Sequence, residues 1–432
     1  MWVRYRGSID AEEKEIKSEL SGTEAFYLRA AMSSPHLPPE ILDYIIDSPS
    51  DDSETLKQCC LVSKPWVPRA RTHIFARISF NDGDHFKWRK TFPDPTNSPA
   101  CHAHTLFINC NLVDAEESWL QAFSRVERLV ISKGGSSFPN GLTRLRSLSP
   151  SVKSLYISFS IPHPHFHILI CSLPLLEDLM LNGQEITSDQ YGWDEPTGTV
   201  PPSTSPALTG TLDFHLFEGM VHTQTALLYL QGGLHFRELI LWCYGEGGFR
   251  WAMVLVVACS DTLEHLEISC QTAGALDVAS SSDGNSPEPP STEQLQSGHI
   301  DLSKATKLKD VVFRCESLES GWITRTLETV TPKHPGFQQV SIHIPIALGY
   351  LPAGMCAAFE RYFDEASPGM HWWDLDRLLV RLWEFHSIRV KVMCPQLHGM
   401  NGGRQMRDWA RYLFPELTRG NAGIIGAFST VE

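Results

Sequence analysis

From about residue 125 onward one arrangement of apolar and polar positions recurs: an apolar residue, two mostly polar ones, then apolar, any, apolar. It reads VERLVI from Val126, VKSLYI from Val152, LEDLML from Leu176, FRELIL from Phe236, LEHLEI from Leu263, LKDVVF from Leu308 and FQQVSI from Phe337, with a degenerate copy, TGTLDF, from Thr209. The last two apolar residues of each copy are two apart, so on a strand they share one face, and that face is expected in the core. Successive copies begin 26 residues apart (Val126 to Val152), 24 apart (Val152 to Leu176) and 27 apart (Phe236 to Leu263). These steps match the period of roughly 20–29 residues of leucine-rich repeats, in which each unit has an apolar face that only its neighbours can cover. The pattern therefore predicts a solenoid of stacked strand units. Helices are expected on its outer side, as in HPHFHILICSLPLL at 163–176, where Leu169, Ile170 and Leu173 stand at helical spacing before Pro174.

Two segments interrupt the periodicity. Residues 184–207 end in the proline-broken TGTVPPSTSP, and residues 271–298 are rich in Ser and Pro, with four acidic residues and no Lys or Arg. Both read as solvated insert loops, because neither can bury enough apolar area to offset its ordering entropy. After about 345 the character changes. CAAFERYFDEA at 356–366, DLDRLLVRLWEFH at 374–386 and RQMRDWARYLF at 404–414 are amphipathic and predict cap helices.

The N-terminal part is organised differently. IDAEEKEIKSEL at 9–20 is a charged, helix-like leader with Glu13 four residues before Lys17. Next comes LPPEILDYIIDSPSDDSETLKQCCLVSKPW at 37–66. A first helix is expected to begin at Pro38 or Pro39, with Ile41, Leu42, Ile45 and Ile46 on one broad face. A second is expected to be capped by Asp51, three residues before Glu54, with Leu56, Cys59, Cys60 and Ser63 along one stripe and Pro65 as its limit. A third is expected from Pro68. A bundle of this size seldom holds together alone, so part of its apolar surface is expected to meet something else.

Composition narrows the function. The chain has 432 residues, 42% of them hydrophobic and 20% charged, which fits a folded protein of two or three domains or one elongated array with an added module. Thirty-six basic residues against 50 acidic ones give a net charge of −14, so no nucleic-acid partner is expected. The apolar run Met253 to Cys259 is far short of a bilayer span, and the first residues lack a signal-peptide core; a cytoplasmic or nuclear protein with no membrane partner is expected. Eleven scattered cysteines and no permitted N-x-S/T acceptor fit a reducing compartment.

No residue pattern calls for catalysis or a cofactor. Cys59 and Cys60 are adjacent, so on a helix they diverge by about 100° and cannot both grip one ion. Cys101, His102, His104 and Cys110 carry zinc-like residue types at no finger or ribbon spacing, and read better as a strand leading into the repeats. His163, His165 and His167 occupy alternate positions, and Pro162 and Pro164 make the stretch read as a turn before a helix. GEGGF at 245–249 lacks the rest of a phosphate-loop motif and reads as a tight turn. No G-x-S-x-G, H-E-x-x-H or EF-hand pattern occurs. No catalytic, cofactor-binding or metal-binding residue is assigned, and an enzyme is not expected.

The run Leu37-Pro38-x-Glu40-Ile41, the pair Ile45-Ile46 and the run Cys60-Leu61-Val62-Ser63-Lys64-x-Trp66 resemble an F-box. The whole of 36–80 is similar to the F-box segment of fungal F-box-like proteins with a leucine-rich-repeat tail. FPDPTNSP at 92–99, IDLSKATKLKDVVFR at 300–314 and MRDWARYLFPELT at 406–418 resemble the same group more loosely. The resemblance implies an α/β chain with a leader at 1–35, an F-box helical bundle at 36–80 and a leucine-rich-repeat-like solenoid at 81–432 that ends in cap helices at about 355–432. It further implies a non-catalytic substrate receptor of an SCF-type cullin–RING ubiquitin ligase, whose F-box binds the ligase adaptor subunit and whose repeats hold a target protein. Leu37, Pro38, Ile41, Leu42, Ile45, Leu56, Cys60, Leu61, Val62 and Trp66 are the implied adaptor-facing or bundle-forming residues. Ser48-Pro49-Ser50 and Pro65 depart from the usual F-box pattern. The alternative is a ligase-independent interaction scaffold that uses the same repeat surface.

Overall fold

The computed structural model describes residues 39–48, 52–62, 64–109, 117–132, 145, 148, 151–158, 161, 163–182, 206–216, 221–230, 232–270, 298–315, 321–343, 372–386, 388–393 and 414–419. The chain divides into two compact units, Met1–Val152 and Lys153–Glu432. It is a mixed α/β protein, and within each unit the described strands are parallel to their neighbours and stand in chain order.

In the first unit, helices α1 (Pro39–Asp47), α2 (Ser53–Val62) and α3 (Val67–Ile74) come first. Strand β1 (Arg77–Asn81), helix α4 (Asp84–Thr91), strand β2 (Thr105–Asn109), the short α5 (Glu117–Leu120) and β3 (Arg128–Ile131) follow. β1 pairs with β2 and β2 with β3, placing Ile78, Leu106 and Leu129 in one cross-strand row. Phe80 is buried where the rings of Trp88, Trp119 and Phe123 meet it edge-on, with centroids 5.2–5.8 Å away. Such T-shaped contacts align the positive edge of one ring with the negative face of the next.

The second unit contains β4 (Ser154–Ile157), α6 (His163–Cys171), β5 (Asp178–Leu181), β6 (Thr211–Leu216), α7 (Val221–Leu228), β7 (Glu238–Cys243) and α8 (Gly245–Ala258). It continues with β8 (His265–Cys270), β9 (Asp310–Cys315), α9 (Gly321–Glu328), β10 (Gln339–His343), α10 (Trp372–His386), β11 (Arg389–Met393) and α11 (Pro415–Arg419). One register row runs Leu212, Leu239, Leu266, Val311, Val340, Val390 across six strands, and all six side chains are buried. Parallel strands need a crossover, and α7, α8, α9 and α10 provide it between successive strands. Because sheet order never reverses among these strands, the crevice at which doubly wound sheets bind nucleotides is not formed there.

All eight repeat copies are strands, each strand beginning two residues after its copy begins. The expected strand leading into the repeats is β2, with Pro99–His102 forming a 3-10 turn before it. Leu169, Ile170 and Leu173 are buried as α6 and the turn after it predict.

Several expectations need correction. GEGGF is not a free turn but the opening of α8: Gly245 takes φ +74, which only glycine adopts without strain, and the following residues are helical. His163 and His165 lie within α6 rather than ahead of it, since proline in the first turn of a helix forfeits no intrahelical hydrogen bond. The C-terminal part is not helical throughout, because β11 adds to β10 after α10. The expected helix at 356–366, almost all of 404–414, and nearly all of the insert loops at 184–207 and 271–298 lie outside the described residues, as does the leader. Among the described residues no helix is long and apolar enough to cross a membrane.

Candidate functional site

The three N-terminal helices enclose a small core of Ile46, Leu56, Cys59 and Ala70, against which Cys60, Trp66 and Ile74 pack. α2 is capped by Asp52, one residue after the position expected from the sequence. The Asp52 carboxylate accepts from the backbone N–H of Glu54 at 3.0 Å and of Thr55 at 3.2 Å, and from the Thr55 hydroxyl at 2.6 Å. A cap must stand one residue before the first helical one to reach these second and third N–H groups, and the helix begins at Ser53. The three bonds hold the Asp52 carboxyl below the ordinary carboxylate range, the Thr55 side chain contributing most.

α1 is tied to α3 through Asp47. Its carboxylate accepts from Arg69 Nε at 2.7 Å and Nη2 at 2.5 Å, and lies 2.6 Å from His73 Nε2. Arg69 and His73 stand four apart on α3, so one helix face presents both groups to the end of α1. The forked guanidinium contact lowers the Asp47 pKa to about 2, with His73 adding to the effect. The sequence signal for this clamp was the spacing of Arg69 and His73; its partner, more than twenty residues upstream, was not visible.

With the core and clamp accounted for, the outer faces of the helices remain apolar. Ile41 is 46% exposed, Tyr44 76%, Ile45 39%, Leu61 54% and Val62 62%, so most of these side chains face solvent rather than the bundle. The ten residues read together from the sequence therefore separate. Leu56, Cys60 and Trp66 build the interior; Ile41, Ile45, Leu61 and Val62 are exposed; Leu42 is half-buried. Leu37 and Pro38 lie outside the described residues, as do Asp51, Ser63 and Pro49. Tyr44, the most exposed of the apolar group, was not in that set, although its place between Ile41 and Ile45 on one helix puts it beside them. Pro65 is exposed in the 3-10 turn Lys64–Trp66, outside both neighbouring helices, where its missing N–H removes no helical hydrogen bond.

The residues weighed for metal chemistry take other roles. Cys59 is buried in the bundle core, Cys101 and His104 are exposed, and Cys110 lies outside the described residues. Among the described residues no three His, Cys, Asp or Glu side chains are placed to hold a metal ion. No protein-family model matches the chain, and no curated protein is significantly similar to it.

Proposed function

We propose that this protein is a non-catalytic substrate receptor of an SCF-type cullin–RING ubiquitin ligase, with α1–α3 as an F-box that docks on the ligase adaptor and the parallel array as a leucine-rich-repeat-like solenoid that holds a target protein. The observation that carries the reading is the exposed apolar set Ile41, Tyr44, Ile45, Leu61 and Val62 on helices that already have their own core. These side chains add nothing to that core, and exposed large apolar groups in clusters mark contact surfaces. The resemblance of 36–80 to an F-box supplies the identity of the partner, and the periodic strands that follow supply a surface on which to hold a target. The receptor's contribution is proximity: it raises the effective concentration of a target lysine at the ubiquitin carrier, while partner subunits perform the transfer. The expected location is the cytoplasm or nucleus.

The test is capture of the full chain by purified ligase adaptor, with an Ile41→Asp/Ile45→Asp variant beside it. Both positions are exposed, so the variant keeps its far-UV circular dichroism while placing two unpaired charges in the contact; binding is expected to weaken by a factor of about 100 or more. If neither folded chain is captured, the ligase reading fails and the ligase-independent scaffold takes its place.

A further inference from the structure

The outward face of β6–β9 is a second surface with a different chemistry. Along β6 and β7 burial alternates strictly, and the half-buried outward positions are Thr211, Asp213 and His215 on β6 and Glu238, Ile240 and Trp242 on β7. Register places Asp213 beside Ile240 and Ile240 beside Glu267 of β8, with Glu238 and Trp242 two residues to either side along β7. Ile240 is thus an apolar floor bordered by three carboxylates and one indole.

The indole is held in place from several directions. His215 stacks on it with centroids 5.3 Å apart and planes 13° apart, and its Nε1 donates to Asp213 Oδ1 at 3.1 Å. Arg314 of β9 lies over the same ring at 5.5 Å while its Nε donates to Glu267. The chain's own guanidinium already occupies the place between aromatic face and carboxylate that this surface offers a cation. That place is filled, whereas among the described residues Asp213 and Glu238 have no cation beside them. Asp213 accepts from Trp242 and Glu238 accepts from the Thr211 hydroxyl at 2.9 Å, and among the described residues neither forms an ion pair. Burial raises the Asp213 pKa, with the charges of Glu267 and Glu238 adding to the rise, so this carboxylate lacks the cation that would stabilise its ionised form.

We infer that the patch formed by Asp213, Glu238, Ile240, Trp242 and Glu267 binds a lysine or arginine side chain of a partner protein, its methylene stem on Ile240 and Trp242 and its charge between Asp213 and Glu238. Charge complementarity selects the occupant: of the carboxylates that β6–β9 present outward, Glu267 is paired with Arg314 and Asp310 lies 2.9 Å from His265, which leaves Asp213 and Glu238 for a cation. The combination is more than an acidic cluster, because the floor and indole match the apolar stem of a long cationic side chain. The inference deepens the target-binding half of the proposed function and rests on that half alone.

The experiment is fluorescence anisotropy of a labelled octalysine peptide with the full chain at low salt. It compares wild type, Asp213→Asn/Glu238→Gln, and a charge-matched control, Asp261→Asn/Glu384→Gln, whose sites are exposed elsewhere in the same unit. The Asn and Gln replacements preserve shape and can still accept from Trp242 and Thr211, so the fold is expected to be retained. The site variant is expected to bind about tenfold or more weakly and the control within about twofold of wild type. Equal losses in both variants would overturn the inference, showing diffuse attraction to an acidic chain, as would failure of wild type to bind. Self-association of wild type that the site variant abolishes would also overturn it, assigning the face to a second copy. Adaptor capture is scored on the same variants. If it persists while octalysine binding is absent, only this inference fails; the reverse result removes only the ligase reading.

Discussion

A methyl group added at Gly248 should destabilise the second unit, against the ordinary preference of helices for alanine. Gly248 lies in the first turn of α8, and a Cβ there would stand 2.3 Å from the Leu216 carbonyl oxygen, 3.3 Å from its carbon and 3.4 Å from Cys243 Cα. All three atoms are backbone at the ends of β6 and β7, and the Leu216 oxygen also accepts the Tyr244 N–H at 3.0 Å. No side-chain rotation can relieve such an approach, so the helix must withdraw by about 1 Å, and overpacking of this kind costs roughly 1–3 kcal/mol or more. Withdrawal also loosens Phe249, Ala252, Met253 and Val256, which α8 buries beneath the sheet. Removing glycine's backbone freedom returns only about 1 kcal/mol. An approach of 2.3 Å to a backbone oxygen puts the cost at the upper end of that range, about 3 kcal/mol, so the net cost is expected to be about 2 kcal/mol. Gly321, at the start of α9, is the internal control, because a Cβ there meets nothing within 4 Å. Gly321→Ala should be neutral or stabilising by up to about 1 kcal/mol.

Urea and thermal denaturation followed by far-UV circular dichroism would separate the two. Gly248→Ala should melt several degrees below wild type, using about 2–4 °C per kcal/mol for a unit of this size, and Gly321→Ala at or slightly above it. Equal melting of Gly248→Ala and wild type would refute the close approach of helix and strand end as the constraint on this position.

Three other outcomes follow from particular contacts. Asp376, fully buried on α10, accepts from the N–H groups of Glu416 at 2.7 Å and Leu417 at 3.0 Å and so caps α11 from a distance; Asp376→Ala should cost about 1–2 kcal/mol and expose the chain near Pro415 to limited proteolysis, while Asp376→Asn retains much of the cap. Asp47 titrates at about 2 in the folded chain, below its unfolded value of 3.8, so its contribution is complete above about pH 4 and is lost as pH falls toward 2. Because its side chain is 37% exposed, solvent screening limits that contribution to about 1 kcal/mol or less, and the urea midpoints of wild type and Asp47→Asn should converge across this window; midpoints that stay parallel would refute the clamp. Finally, adaptor capture through Ile41 and Ile45 should change little between low and high salt, whereas octalysine binding at the sheet face should fall steeply, because only the latter depends on screened charge.

The strands were legible because the signal was redundant. Each repeat copy puts two apolar residues on one face, and eight copies at similar spacing leave few alternatives. β1 and β11 escaped because each stands beyond the ends of that series. In β11 the alternation Arg389, Val390, Lys391 was present, but it is too short to separate from chance without the neighbouring β10. The helical stripes of α1 and α2 were also visible, yet periodicity marks a face without saying what covers it. Leu56 and Leu61 are both apolar residues of α2, and only packing shows that the first faces Ala70 while the second faces solvent. The patch around Ile240 could not be read at all. Its members lie on three strands that start 27 residues apart, and apolar periodicity marks their buried positions only; it is register that brings Asp213, Ile240 and Glu267 side by side.

The same redundancy explains why the two surfaces can diverge in chemistry. In the array, the buried row from Leu212 to Val390 meets the requirement for stability, which leaves alternate positions free to carry Asp213, Glu238 and Glu267 at little cost to the fold. At β11, the last strand in the sheet order, those positions carry Arg389 and Lys391, charges that discourage further strand addition. The three-helix segment has no such surplus. Its core is a few side chains held by the Asp47 clamp, so five large apolar residues left outside it represent hydration cost without structural return. Burial against a partner removes that cost, and a partner that buries Ile41, Tyr44, Ile45, Leu61 and Val62 stabilises the bundle as it binds.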